Sequence, residues 1–300
     1  MKKERTSLIL LVFLCLFSAD ASAGTIKIME SPLTIFVNNS GNVDIAVQFM
    51  NGGDEAAANV RLSLILPEGF SSTPNTVFIG TLETNKLQNV SFVLNVPDGI
   101  SPGIYPVVAR TDYTDLNQYP FSSVTPGTIT LKEDTYPLLS VSMEQVTVED
   151  KGKANLSLII RNLDDKPHNL SIRLYLPREI KTDTTELGLL LDGKSERNIS
   201  FVVSPFGALP KSTYVTFASI EYEDGSRHYL MYPPKPGVVS IGGELEQGRK
   251  IIPNLGRAEL GESQLVKKLP YVLIILSIFV IYVSFRNKRG QNRKRYRKKG

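Results

Sequence analysis

Two histidines, a few clustered acids and a row of tyrosines are the side chains of this 300-residue chain with the most capacity for chemistry. His168 and His228 stand far apart, each beside charged residues. A zinc site needs several nitrogen or sulfur ligands at defined spacing. Two distant histidines and a single cysteine, Cys15, do not supply them. A Ser-His-Asp arrangement needs an elbow or an equally rigid setting, and none is expected here. Both histidines are therefore expected on a solvated outer face, and no catalytic group, metal or other cofactor is predicted.

The acids recur at matching places. Asp112 and Asp115 lie in "TDYTDLNQY", and Glu221, Glu223 and Asp224 lie in "EYEDGSRHY". Hard oxygen ligands gathered at a loop could hold calcium. The stronger reading is a solvated face closed by a turn, because Asp224-Gly225 is a hairpin signal. Tyrosines accompany the acids: Tyr105, Tyr113 and Tyr119 in one place, Tyr214, Tyr222 and Tyr229 in the other. Tyr105 and Tyr214 share strand parity with apolar neighbours and are expected to help a core. Tyr119 and Tyr229 fall beyond the turn, where exposed rings can stack on sugars or anchor a protein. The candidate ligand face is therefore Tyr119, Tyr229, Asp112, Asp115, Glu221 and Asp224.

The elements that carry these residues are written twice. "GNVDIAVQFMNGGDEAAANVRLSLILPEGF" (41–70) returns as "GKANLSLIIRNLDDKPHNLSIRLYLPREI" (152–180). Val43, Ile45, Val47 and Phe49 alternate with polar or small residues, as do Leu156, Leu158 and Ile160. After an Asn-led polar turn, Val60, Leu62, Leu64 and Leu66 alternate, matched by Leu170, Ile172, Leu174 and Leu176. A period of two marks a strand with one face in a core and one in water. Pro67 and Pro177 stop the strands, since proline donates nothing to a ladder. Later, "NVSF" at Asn89 returns as "NISF" at Asn198. Short strands separated by Gly, Pro and Asn turns predict an all-β chain of two tandem immunoglobulin-like β-sandwich domains, about seven strands each. Their expected bounds are 24–131 and 132–241, with "KEDTYP" (132–137) as the joint.

With those motifs in hand, the first copy resembles the NEW3 family and the related CARDB-type adhesion modules. The resemblance rests on "VQFMNGGDEAAANVRLSLILPEGF" followed by "IGTLETNKLQNVSFVLNVPDGISPGIYPV". NEW3 is a β-sandwich first described beside carbohydrate-binding domains of glycosidases. The resemblance implies a surface accessory or adhesion module with no catalytic residues. The second copy departs from it, with Arg178-Glu179 where the first has Glu68-Gly69, and "PFGALPKSTY" for "PDGISPGIY".

The ends set the expected location. Residues 1–23 read as a secretory signal peptide, with a basic start, a ten-residue apolar run and Ala21-Ser22-Ala23 before cleavage. Residues 242–268 read as a membrane-proximal stalk. Residues 269–285 are uncharged and long enough for a single transmembrane helix. Residues 286–300 hold nine Lys or Arg and no acid, a tail expected in the cytoplasm, against anionic lipid headgroups. The net charge of +4 averages this tail with an acidic ectodomain, so it implies no nucleic-acid partner. Five Asn-x-Ser sequons, at Asn38, Asn89, Asn155, Asn169 and Asn198, are read as composition of Asn-rich strands. The expected protein is a non-enzymatic, single-pass cell-membrane protein whose extracytoplasmic modules serve adhesion, scaffolding or complex assembly. A cell-wall or surface polysaccharide-binding role and an accessory subunit of an envelope or secretion complex are the alternatives. The expected partner is an envelope protein or polysaccharide.

Overall fold

The computed structural model describes residues 24–242. They form 19 strands and no helix. In the first half these are β1 (Ile28–Glu30), β2 (Thr34–Val37), β3 (Gly41–Asn51), β4 (Ala57–Ile65), β5 (Ser71–Thr73), β6 (Thr76–Leu82), β7 (Leu87–Val96), β8 (Gly103–Thr114) and β9 (Pro120–Leu131). The second half holds β10 (Leu139–Met143), β11 (Gln145–Val148), β12 (Ala154–Asn162), β13 (His168–Tyr175), β14 (Ile180–Thr182), β15 (Glu186–Leu191), β16 (Glu196–Pro205), β17 (Thr213–Asp224), β18 (Arg227–Met231) and β19 (Gly237–Ile241).

One sheet runs β1-β3-β7-β5, and a second with the same order runs β10-β12-β16-β14. Their packing partners run β2-β9-β8-β4-β6 and β11-β19-β17-β13-β15. Each pair of sheets encloses its own apolar core. The first gathers Val47, Phe49, Leu62, Phe92 and Ile129, the second Leu156, Leu158, Ile160, Ile172 and Leu191. Fully burying each such side chain contributes about 1.5–3 kcal/mol. The alternation read from the sequence matches this burial through most of β3, β4, β12 and β13, although Val43 and Leu64 are only half-buried.

Three local features carry the strand count above seven per half, the first being a three-residue strand after each proline stop, β5 in one half and β14 in the other. The leading strand of each half is split: β1 joins one sheet antiparallel to β3, then the chain passes Pro32 and β2 joins the other sheet parallel to β9. The final strand of the second half is split too, because the proline-rich "YPPKP" (232–236) separates β18 from β19.

Each half carries one wholly buried asparagine at the start of its polar turn. Asn51 donates to Glu55 O (2.7 Å) and accepts from Gly53 N (3.0 Å). Asn162 donates to Lys166 O (2.8 Å) and Asp192 O (3.1 Å) and accepts from Asp164 N (2.9 Å). The amide thus does for the turn what backbone pairing does elsewhere, since a buried polar group must find a partner. The predicted leader, the stalk beyond Gly242, the span and the tail lie outside the described residues. Among the described residues no helix is long and apolar enough to cross a membrane.

Candidate functional site

Polar side chains and main-chain groups of the two halves meet along a seam. One bridge pair, His228 on β18 and Gly103 on β8, runs across it. His228 N donates to Pro102 O (2.9 Å), and Thr135 Oγ1 donates to His228 O (2.8 Å). The imidazole stacks on Tyr105 at 4.0 Å between centroids and 7° between planes. Its Nδ1 lies 2.9 Å from Glu223 and its Nε2 3.3 Å from Glu221. Burial opposes charge on this ring, but the two carboxylates outweigh it and raise its pKa. Thr135, in the joint, is itself buried, and Glu133 pairs with Arg227 at 2.8 Å. The segment "KEDTYP" is therefore fastened to the second half.

The histidine expectation is corrected by this geometry. His168 and His228 are buried, because hydrophobic stacking and carboxylate partners offset the loss of water. His168 lies against Tyr222 (4.4 Å) with Nε2 3.1 Å from Asp164.

A second fastening closes the exposed edge of β9. The outward main-chain donors here fall at even positions: Thr128 N on β9 and Lys132 N just past its end reach Leu33 O and Val37 O. Positions 120 and 126 are prolines, which present no N–H. Ser122 N donates to Glu179 Oε1 (2.8 Å), and Ser122 Oγ donates to Glu179 Oε2 (3.0 Å). Arg178 N in turn donates to Ser122 Oγ (2.7 Å). Tyr119 Oη donates to Gly207 O, and Tyr232 Oη to Gly127 O (3.0 Å). A small apolar cluster of Val108, Val124 and Tyr175 fills the space alongside.

Between β9 and the start of β17 lies a cleft of about 350 Å³. Tyr113, Phe121 and Tyr214 supply rings, Ser123, Thr125 and Thr213 supply hydroxyls, and Glu179 supplies a carboxylate. Burial raises the pKa of Glu179 against the hydrogen bonds from Ser122. Beneath the wall, Glu30 contacts Thr111 and Ser123, while its Oε2 is covered and has no partner. Burial raises the pKa of Glu30 as well, against hydroxyls of Thr111, Thr125 and Ser123.

The six side chains read from the sequence are not gathered in one place. Asp115 accepts from Tyr119 N (2.7 Å) and so shapes its own turn. Asp112 pairs with Arg110 (3.1 Å). Tyr119 packs on Phe121 (5.2 Å) with its hydroxyl given to the second half. Tyr229 stacks on Tyr222 at 4.8 Å and 6°, half-buried against the second core. Glu221 holds His228, and Asp224 is the last paired residue of the β17–β18 hairpin, opposite Arg227. Among the described residues no cluster of three or more His, Cys, Asp or Glu is arranged to hold a metal ion.

The sequence reading missed Glu179, Ser122, Glu30 and Gly103. It also overlooked that Gly99-Ile-Ser-Pro-Gly103 spells Gly-x-Ser-x-Gly. In the structure that pentapeptide joins β7 to β8 with no helix behind it. His228, whose main chain meets Pro102, has both ring nitrogens facing glutamates and none facing Ser101.

The described residues thus define an all-β protein of β-sandwich type. Residues 40–114, spanning β3 to β8, match the family model described as "NPCBM-associated, NEW3 domain of alpha-galactosidase". The match covers about a quarter of the chain and lies wholly in the first half, where the quoted motifs carry the resemblance. No curated protein matches the chain. Among solved structures, a protein of unknown function from Porphyromonas gingivalis W83 aligns with 71% of this chain and 99% of its own at 13% identity and TM-score 0.30. The periplasmic chaperone SfaE aligns with 72% of this chain and 100% of its own at 11% identity and TM-score 0.26. Native E. coli alpha-2-macroglobulin aligns with 73% of this chain and 17% of its own at 10% identity and TM-score 0.29.

Proposed function

We propose that this chain is a non-enzymatic protein of the cell envelope. Its predicted C-terminal span anchors it, and it presents two immunoglobulin-like β-sandwiches outside the membrane for adhesion, scaffolding or assembly. The observation that supports this reading is the seam. Main-chain and side-chain groups on both sides of it are consumed in holding the halves together, and the buried imidazole that could serve as a base is held between two carboxylates. A pair of modules with a fixed mutual orientation delivers two binding surfaces at a set spacing. Avidity depends on that spacing. A second reading, binding of a cell-wall or surface polysaccharide, draws on the NEW3 match of residues 40–114 and on the ring- and hydroxyl-lined cleft.

Protease added to intact cells tests the placement. Residues 24–266 should be digested while a tag after Gly300 survives. Loss of that tag with the membrane intact would overturn the topology. Pull-down and glycan-array binding then separate the two readings. A specific envelope protein without glycan signal supports scaffolding, and the reverse supports the polysaccharide role.

A further inference from the structure

We propose that two copies of this chain pair edge to edge through β15, antiparallel about a two-fold axis at Gly188. This goes beyond the presenting role and holds whatever the topology of the chain's ends.

β15 closes one side of its sheet and pairs with β13 alone. Leu174 N reaches Thr185 O (2.7 Å), so Thr185, Leu187, Leu189 and Leu191 exchange main-chain bonds with β13. Glu186, Gly188 and Leu190 therefore turn N–H and C=O outward, and these groups take no partner among the described residues. The open run has closed ends. Thr184 N and O both bond Thr182 Oγ1, and Asp192 O receives Asn162 Nδ2 and Ser195 Oγ.

Unpaired edges are normally short, bulged or charged. The matching edge of the first half, β6, follows that rule: its pairing with β4 shifts register, and Gly80 there has φ +86°. At the offset that takes Asn89 to Asn198, Gly80 becomes Leu189. β15 has no such break, and no other unbroken edge strand among the described residues is as long.

An occupant must match this edge over its outward residues and no further, because the turns beyond are closed. A second β15 does so. A two-fold contact sets the same patch on both copies, and outward residues must face outward residues. Only the register with Gly188 opposite Gly188 uses all of them, with Glu186 opposite Leu190 of the second copy and the reverse. A shift one way sets Glu186 against Asp192, acid against acid. A shift the other way sets Leu190 against Thr184, whose N and O are already used. On the core side, Leu187 and Leu189 are half-buried at the margin of the second core. In this register each lies opposite the other of the second copy, in non-hydrogen-bonded pairs about 4.5 Å apart at Cα, so the leucines cover one another. On the outer face Leu190 is 58% exposed. It meets a Glu186 whose charge Arg173 already answers at 2.6 Å. So short an edge buries less than the roughly 1,200–2,000 Å² of a stable complex, and the dimer should dissociate in the range of about 10–500 µM.

The test is oxidative cross-linking of the full chain in detergent micelles, with Cys15→Ser as background and single cysteines on the strands. A Cβ at Gly188 meets nothing closer than 4.0 Å, so Gly188→Cys fits the fold. At the axis its two Cα atoms lie about 5.5 Å apart, within disulfide reach. Gly188→Cys should cross-link about tenfold faster than Thr81→Cys on the β6 edge, because pairing raises the effective concentration. A mixture of Glu186→Cys and Leu190→Cys chains should cross-link, whereas either alone holds its own two positions about 14 Å apart and should not. In sedimentation equilibrium Gly188→Pro should weaken the dimer about tenfold or more with little change in melting, because the N–H it removes points away from β13. If that variant fails to fold, the mixed cross-link still decides. Gly188→Cys reacting no faster than Thr81→Cys, or Glu186→Cys alone reacting as fast as the mixture, would overturn the pairing. A synthetic peptide of residues 184–192 should compete with the dimer. Tighter binding of the peptide of residues 75–83 would make the occupant a foreign strand and overturn the assignment to a second copy.

Discussion

Gly103 is the position at which a single methyl group should do the most damage to the seam. Its φ is +144°, and a Cβ there would come within 2.0 Å of His228 O, 2.8 Å of its C and 2.9 Å of its N. Optimal contact between carbon atoms is about 3.5–4.0 Å, so Gly103→Ala requires the two strands to part by about 1 Å. That movement takes His228 N off Pro102 O and His228 O off Thr135. Two hydrogen bonds at about 1 kcal/mol each, an aromatic contact of about 1 kcal/mol and about 1 kcal/mol for the backbone conformation give a loss of about 4 kcal/mol. At about 2–4 °C per kcal/mol for chains of this size, melting followed by circular dichroism should fall by about 8–16 °C. Gly99→Ala is the matched control: φ is +80° there as well, but nothing lies within 4 Å of the added methyl. It should lose about 1 kcal/mol. Equal melting temperatures for the two variants would refute the reasoning, because the steric contact with His228 would then carry no weight.

Two further outcomes follow from the same contacts. The pKa of His228 is raised above 6.5 by Glu221 and Glu223, so its contribution is complete below about pH 6.5 and is lost as pH rises through the folded value. The stability difference between the native chain and His228→Gln should therefore shrink from pH 6 toward pH 9 in chemical denaturation. A difference that grows with pH would contradict the pairing. Asn51→Ala and Asn162→Ala each strip three or more hydrogen bonds from buried groups and should each cost about 3 kcal/mol, read as loss of hydrogen-exchange protection confined to the half that carries the substitution.

The strands were legible because burial on one face writes itself as alternation, as in Leu156, Leu158 and Ile160. The split leading strands were not, since "IMESPLTIFV" reads as one interrupted run until its two parts are seen in different sheets. The seam was least legible. Sequence pattern says which side chains share a face, but Glu179 matters for what the neighbouring half brings to it. Its signal was present as a departure: Glu179 stands where the first copy has Gly69, whose φ is +83°. The same holds for the histidines. Their charged neighbours suggested solvent, whereas in the fold those carboxylates, Asp164, Glu221 and Glu223, are the partners that accompany burial. Tyr119 and Tyr229 were singled out by position, and stacking and cross-seam bonding occupy much of both.

Bridge pairing and side-chain bonds across the seam should hold the two halves in one mutual orientation. Spin labels on cysteines introduced at the exposed Ser91 and Ser200, with Cys15→Ser as background, report it through the distribution of distances measured by pulsed electron resonance. The native seam should give a single narrow distribution and Gly103→Ala a broad one. A native distribution as broad as that of the variant would mean that the joint swings freely and that the seam does not fasten the modules.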